Sequence, residues 1–221
     1  MPILVRDILN RVAAVLNDNE PGREFTRWPV DELIYWLNDG ASEVVVIRPA
    51  AGARTQVLSL QEGVYQTLPA EAIQLLDIAR NIGSGGRPGC PVQRTDRRLL
   101  DETVPDWCQM EPADHIQYFT FDDRNPQAFY NYPPAQAGVE VEALIATPPP
   151  KVEAIDDTLD MDRAYIGPLV SYMLYRALAK DSEYANGVVA AAHQQAFMTG
   201  LGVHNEIAIT ASPKGPLHDA P

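Results

Sequence analysis

A glycine-rich segment is the first place at which the sequence could bind phosphate. Residues 83–89 read GSGGRPG. A P-loop requires GxxxxGK[ST], in which the lysine contacts the phosphates and the hydroxyl contacts magnesium. Here no lysine follows, no periodic helix comes next, and the dinucleotide pattern GxGxxG does not occur. The composition therefore predicts a flexible loop rather than a nucleotide site.

Carboxylates are concentrated in residues 156–162, DDTLDMD, where a calcium site could form. An EF-hand loop needs glycine at its sixth position and glutamate at its twelfth. Counting from Asp156 or from Asp157, both positions hold other residues. The run instead predicts the start of a helix, with Asp160 or Asp162 as its cap and the negative charges offsetting its dipole.

Nucleophiles and soft metal ligands are scattered through the chain. Neither GxSxG nor a zinc-type CxxC or HxxxH pair occurs. Cys90 and Cys108 are therefore predicted to be free thiols, with a disulfide between them as the alternative. A triad assembled by the fold stays open, but we expect no enzyme: no catalytic residues, no metal and no cofactor. The four histidines are His115, His193, His204 and His218.

An aromatic cluster could form a stacking platform for bases or sugars. Its members are Tyr118, Phe119, Phe121, Phe129, Tyr130 and Tyr132. Lysine and arginine are not interleaved with these residues along the strands, so a nucleic-acid face is not expected. The pattern predicts aromatic packing across neighbouring strands of a sheet.

The balance of charge limits the class of partner. The 221 residues hold 30 acidic and 17 basic side chains, for a net charge of −13. Phosphate-backbone binding relies on clustered lysine and arginine, so adhesive binding of nucleic acid is disfavoured. Solubility is the simplest reason for the acidic balance. The alternative is a surface past which DNA slides without sticking, because like charges repel.

The composition is typical of a soluble globular protein. Apolar residues make up 46% and charged residues 21% of the chain. No apolar run approaches the roughly 20 residues needed to cross a bilayer. The first ten residues lack the basic and apolar regions of a signal peptide. We therefore expect synthesis in the cytoplasm and no membrane partner.

Helices are predicted at both ends of the chain, where apolar residues recur at helical spacing. One stripe covers residues 3–17, and a second follows Pro29 and continues to Val45. Near the other end, a helix begins close to Asp162, and a further helix runs from Glu183 to Gly200. The last two are predicted to form a helical hairpin, with one long kinked helix as the alternative.

The middle third alternates at strand spacing. Residues 54–69 predict a hairpin, and 115–122, 129–134 and 139–150 predict a meander of three strands. A short helix is predicted over residues 96–107, with Asp96 as its cap.

These elements predict an α+β fold that is mostly a helical bundle. The N-terminal helix pair (1–53) and the C-terminal pair (151–202) would form one helical body. A β-rich insertion (54–150) would lie between them in the sequence. Residues 203–221 hold three prolines and would form an extended C-terminal tail.

The order of several segments resembles that of tailed-phage head–tail adaptors (head-to-tail connectors), which are similar to the tail tubular proteins of short-tailed phages. The resemblance covers about residues 3–202. It rests on a second helix that begins WPVDELIYWLNDG, on the strands around YFTFDDRNP, and on YRALAKDSEYA near the end. The order of these parts carries the resemblance, since no single motif is diagnostic.

The resemblance implies a structural virion protein at the head–tail junction. It would be a subunit of a ring, dodecameric by analogy, that docks on the portal and leaves a central channel for DNA. The implied partners are the portal protein, the next tail, nozzle or neck protein, and other copies of the chain. DNA would pass through the lumen without specific binding.

The same resemblance assigns a role to each part of the chain. The helical body would pack side by side, the β part would face the next tail component, and the tail would grip the portal. Residues 207–210 of the tail could add a strand to a sheet edge. The alternatives are a stopper or nozzle subunit and a glycan-binding or hydrolase module that uses the aromatic strands. The candidate portal-binding residues are Val203, Asn205, Ile207, Ile209, Pro213 and Pro216.

Overall fold

The computed structural model describes residues 3–83, 85–180 and 186–211, with side chains as far as residue 202. The chain divides into two compact units. We name residues 1–48 with 149–221 the helical unit, and residues 49–148 the sheet unit.

The described residues form ten strands and five α-helices. In chain order they are β1 (Ile3–Leu4), α1 (Val5–Val15), α2 (Val30–Ile47), β2 (Ala53–Ser59), β3 (Gly63–Thr67), β4 (Gln74–Gly83), β5 (Arg87–Pro91), β6 (Gln93–Arg94), α3 (Arg97–Thr103), β7 (Tyr118–Thr120), β8 (Ala128–Ala135), β9 (Glu140–Ala146), β10 (Thr158–Leu159), α4 (Ile166–Ala179) and α5 (Gly187–Ala211). None of the described helices is long and apolar enough to cross a bilayer.

The prediction of a mostly helical bundle is wrong. The described part of the chain contains three sheets beside its five helices. The strands are not an appendage, because they bury a hydrophobic core of their own that includes Phe119, Phe129 and Ile145. Two sheets that pack on a shared core form a layered architecture of their own.

The helical unit is built from apolar stripes at helical spacing. α1 buries Ile8 and Val12, and α2 buries Leu33 and Leu37, so both helices lie where the sequence predicts them. α2 packs closely on α4, since a Cβ atom at Gly40 would lie 2.7 Å from the Tyr172 ring. β1 and β10 pair antiparallel in a small sheet beside these helices.

The sheet unit contains two four-stranded sheets, ordered β2-β9-β4-β5 and β3-β8-β7-β6. All pairs are antiparallel except β6 with β7, which run parallel. The predicted hairpin is wrong, because β2 pairs with β9 and β3 pairs with β8. β7 and β8 pair as predicted, but β9 leaves the predicted meander to join β2 and β4. Alternation identifies a strand and its faces, whereas the partner depends on the fold.

The glycine-rich segment connects β4 to β5. Gly85 and Gly86 have φ angles of +72° and +75°, which suit a tight turn without steric cost. The Gly86 amide donates to the Gly83 carbonyl across this turn. The predicted loop is therefore partly strand, and its glycines serve a hairpin.

Candidate interaction surfaces

The last helix is attached to the helical unit by one face. Ala190, Phe197 and Leu201 are buried, while most other described side chains of α5 are exposed. Exposed apolar residues include Val188, at 84% of its full area, and Met198, at 52%. A helix held this way offers its outer face to solvent or to a partner.

Local contacts fix the start and the packing of α5. The Asn186 amide donates to the Leu178 carbonyl at the end of α4, and the Asn186 side chain accepts from the Val189 amide as an N-cap. The Phe197 ring lies 5.2 Å from the Tyr172 ring of α4. Together these contacts set α5 against α4 as a helical hairpin, which agrees with the sequence prediction.

A buried arginine adds a further contact to α5. Arg48, at the end of α2, is 4% exposed, and its Nη1 donates to the Leu201 carbonyl at 3.1 Å. A charge-assisted hydrogen bond of this kind is stronger away from water. Arg48 therefore ties the end of α2 to the middle of α5.

The outer face of α5 is unusual in composition. Residues 187–205 contain no Asp, Glu, Lys or Arg, in a chain with 21% charged residues. The solvent side of a surface helix is normally charged or polar. Three alanines are exposed here, Ala191, Ala192 and Ala196, beside uncharged polar residues such as Gln194 and Gln195. A small, uncharged face permits close contact with another helix or subunit.

The predicted extended tail is wrong for residues 203–211, because α5 continues to Ala211. Val203, Asn205, Ile207 and Ile209 lie on this helix, with side chains outside the described part. Strand addition by residues 207–210 does not fit a helical backbone. Pro213 and Pro216 lie outside the described residues, as does Glu183, the predicted start of this helix.

Glycine does not end α5 where the sequence pattern suggested. A glycine inside a helix costs only about 1 kcal/mol relative to alanine, so tertiary contacts override it. A Cβ atom at Gly200 would lie 3.2 Å from Pro168 Cγ, so the glycine allows α5 to approach α4 closely. Gly200 is thus a packing position within the helix.

The second surface is an open groove of about 740 Å³ in the sheet unit. One side is formed by β6 and α3, and the other by β7 and the turn after it. We name it the arginine groove, defined by Arg94, Arg97, Arg98, Arg124, Asp96, Asp101, Asp122, Asp123, Phe121 and Tyr130.

Two arginines of the groove lie over aromatic rings. The Arg94 guanidinium is 4.2 Å from the centroid of Phe121, and that of Arg97 is 4.8 Å from the centroid of Tyr130. The parallel pairing of β6 with β7 sets Arg94 opposite Phe119, which places it within reach of Phe121 on the same strand face. A guanidinium held over a ring face in this way can still donate its N–H groups to a partner.

Three aspartates of the groove have internal partners. Asp96 caps α3 by accepting from the Arg98 amide, as the sequence predicts. Asp101 accepts from the buried Trp107 indole at 2.8 Å. Asp122 accepts from Arg124 Nε and Nη2, and this bidentate pairing lowers the pKa of the Asp122 carboxyl.

The groove is equipped for binding ions by hydrogen bonds. Its side chains are mainly guanidinium and carboxylate groups, with the hydroxyls of Thr95 and Thr120. The nearby Cys108 is a poor nucleophile, because burial raises the pKa of its thiol and outweighs the opposite effect of Arg97. This set of donors and acceptors suits a ligand that is bound by charge-assisted hydrogen bonds.

The aromatic residues pack across the strands, as predicted. Tyr118 and Tyr132 are directly opposite on β7 and β8, with ring centroids 6.1 Å apart. Phe119 and Phe129 are buried. The sequence did not predict that arginines from residues 94–97 would cover Phe121 and Tyr130. The available signal was RTDRR, three arginines beside a predicted helix cap.

The other candidate groups serve local structure. Asp162 accepts from the Ala164 amide just before α4, which confirms the predicted cap. Asp157 accepts from the Glu153 and Ala154 amides, and these bonds lower the pKa of its carboxyl. Both cysteines are free thiols, as predicted. Within the described ranges, no three His, Cys, Asp or Glu side chains are grouped to hold a metal.

One known protein family has a model that matches nearly the whole chain. The model of the SU10 adaptor protein family matches residues 4–216, which include α5 and the arginine groove. A search of curated proteins found no match.

Proposed function

This chain belongs to the SU10 adaptor protein family, and we propose that it is one subunit of a dodecameric ring at the head–tail junction of a phage. The family makes it a phage adaptor and a structural component of the virion. The ring, its docking on the portal and its channel are parts of the proposal.

The observation that carries the proposal is the exposed, uncharged face of α5. Protein interfaces are depleted of charge at their centre, where desolvating an unpaired ion is costly. The exposed residues of α5, from Val188 to Gly202, include four alanines and glycines beside Met198. We infer that this face packs against a neighbouring copy of the chain in the ring.

The end of the chain is proposed to hold the portal. The residues concerned are those predicted from the resemblance: Val203, Asn205, Ile207, Ile209, Pro213 and Pro216. Because residues 203–211 are helical, we propose that they dock as a helix in a groove rather than as an added strand.

The net charge of −13 is consistent with a channel for DNA. An acidic lumen repels the phosphate backbone and so lets DNA pass without specific binding. The sheet unit would then contact the next tail or neck protein. A stopper or nozzle subunit is the competing assignment, and it would bind a tail protein without binding the portal.

Assembly is tested by measuring mass. Light scattering and particle imaging of the chain, alone and with the portal protein of the same phage, should show a ring. Val188→Glu and Met198→Glu should each prevent assembly, because both residues are exposed and a charge there must be desolvated in the interface. Val57→Glu on β2, where the side chain is about as exposed as that of Met198, is the control for Met198→Glu and should assemble normally.

Portal docking is tested by two truncations. Removal of residues 203–221 should leave both units folded and abolish binding to the portal. Removal of 212–221 alone keeps all of α5 and separates the contribution of Pro213 and Pro216 from that of the helix. Persistent monomers that never bind a portal would contradict the proposal.

A further inference from the structure

We propose that the arginine groove binds an acidic segment of a partner protein, through its Asp or Glu side chains. This inference goes beyond the proposed function, because peptide binding by the sheet unit depends neither on a ring nor on a portal. It rests on the donors that the groove leaves unused.

Arg94 and Arg98 carry these unused donors. Neither guanidinium has a carboxylate or carbonyl within hydrogen-bonding distance in the described part of the chain, and the contact made by Arg94 is with the Phe121 ring. Arg97 is only loosely paired, with Nε 3.9 Å from Asp101 Oδ2. Three guanidinium groups along one wall can therefore donate hydrogen bonds to carboxylates of a partner.

The aspartates of the groove pair only weakly with these arginines, through the 3.9 Å contact between Arg97 and Asp101. Asp96 is directed to a backbone amide, Asp101 to the Trp107 indole and Asp122 to Arg124. Their acceptor capacity is partly used by contacts that hold α3 and the turn after β7. The arginines are consequently left as donors, although the formal charge of the groove is balanced.

The stacked arginines are prepared for bidentate pairing. A guanidinium that lies on a ring face has lost part of its rotamer freedom before binding, so less is lost when its edge pairs with a carboxylate. Both ring partners are fixed by neighbours: Phe121 stacks on the buried Phe119, and Tyr130 contacts Trp107 edge-on. The groove thus presents oriented donors on a rigid floor.

A peptide fits the groove better than a nucleic acid does. A DNA or RNA strand carries a charge on every residue and would bring phosphates against Asp122 and Asp123. A peptide can place one or two carboxylates on the arginine wall and neutral residues opposite the aspartates. The open shape of the groove also suits an extended segment rather than an enclosed small molecule.

The test uses the full-length chain and labelled probes in fluorescence anisotropy. The probes are an eight-residue peptide of alternating Glu and Ser, its Gln–Ser analogue and an eight-nucleotide oligothymidylate. We expect binding of the acidic peptide at about 50 mM salt, with a loss of at least tenfold at 0.5 M because screening weakens exposed ion pairs. Equal binding of the two peptides, or preference for the oligonucleotide, would overturn the proposal.

Variants locate the binding. Arg94→Gln combined with Arg98→Gln should weaken binding of the acidic peptide at least tenfold. Arg98→Gln alone removes no side-chain hydrogen bond or ion pair within the described residues and should weaken binding about threefold. Arg87→Gln on β5, exposed and outside the groove, is the matched control and should bind normally. Unchanged binding by the double variant would overturn the assignment.

Assembly measured on the same variants separates this site from the proposed function. Both groove variants retain α5 and should form the same particles as the parent chain. If the chain bound the peptide but did not assemble, only the proposed ring would be contradicted. If it assembled but did not bind the peptide, only the proposed peptide site in the groove would be contradicted.

Discussion

The outer face of α5 and the arginine groove are opposite kinds of surface on the same chain. Residues 187–205 carry no charged side chain, whereas five of the eight residues in 94–101 are charged. Contacts on α5 depend on shape and on removing apolar area from water. Those in the groove depend on the direction and pairing of guanidinium groups.

The difference also appears in how each surface is supported. α5 is held by three buried apolar residues and the hydrogen bond from Arg48. The residues of its outer face are therefore not needed to attach the helix. In the groove, Asp96, Asp101 and Asp122 support the fold while they line the site. Substitutions should therefore separate stability from binding cleanly on α5 and less cleanly in the groove.

The largest effect is expected at the attached face of α5. Phe197→Ala removes a ring that is 3% exposed and packed on Tyr172, so the free energy of unfolding of the helical unit should fall by about 3–5 kcal/mol. Urea denaturation followed by circular dichroism at 222 nm measures this change. The neighbouring Met198→Ala, on the exposed face, should change stability by less than about 0.5 kcal/mol. Equal losses in both variants would show that α5 is not held by one face.

A smaller effect is expected where an aspartate of the groove supports the fold. Asp101→Ala leaves the Trp107 indole N–H without its acceptor, which should destabilise the sheet unit by about 1–2 kcal/mol. Amide hydrogen exchange in β8 measures the change. Asp101→Asn keeps an acceptor oxygen and should recover most of it, and Glu102→Ala at the next position should have almost no effect. If Asp101→Ala left the stability of the sheet unit unchanged, the contact between Asp101 and Trp107 would not contribute to that stability.

The smallest effect is a pH dependence at the exposed Asp122–Arg124 pair. The pKa of Asp122 is lowered in the folded chain because Arg124 donates to the ionised carboxylate. The ionised Asp122 carboxylate therefore contributes to the stability of the folded chain at pH values above the ordinary carboxyl pKa. This contribution is lost as the pH falls through the lowered pKa of Asp122. Carboxyl NMR titration of Arg124→Gln should show the Asp122 pKa rising toward its ordinary value. Arg87→Gln should leave it unchanged, and an unshifted pKa in Arg124→Gln would contradict the pairing.

Local chemistry made part of the fold predictable. α1, α2 and the cap of α3 by Asp96 lie close to their predicted positions, because helical spacing and capping are properties of a few adjacent residues. Strand pairing was not predictable in the same way. β2 was expected beside β3 but pairs with β9, more than 80 residues later in the chain. Its alternating pattern is compatible with either partner.

The end of α5 shows a second limit. Gly200 and Gly202 are typical of a helix end, yet the helix continues to Ala211. Gly200 instead allows α5 to pack closely against Pro168. Pro168 is too distant in the sequence for a local pattern to reveal this contact.

By itself the sequence determined the helices at both ends, the strands of the middle third, the acidic balance and the resemblance to a phage adaptor, since these follow from residue type, spacing and order. Only the tertiary structure decided that the strands form two sheets with their own core, and that Arg94 and Arg97 lie over Phe121 and Tyr130. The physical reason is distance along the chain: each arginine is more than 25 residues from its ring. The pairing of β6 with β7 and of β7 with β8 brings these segments together.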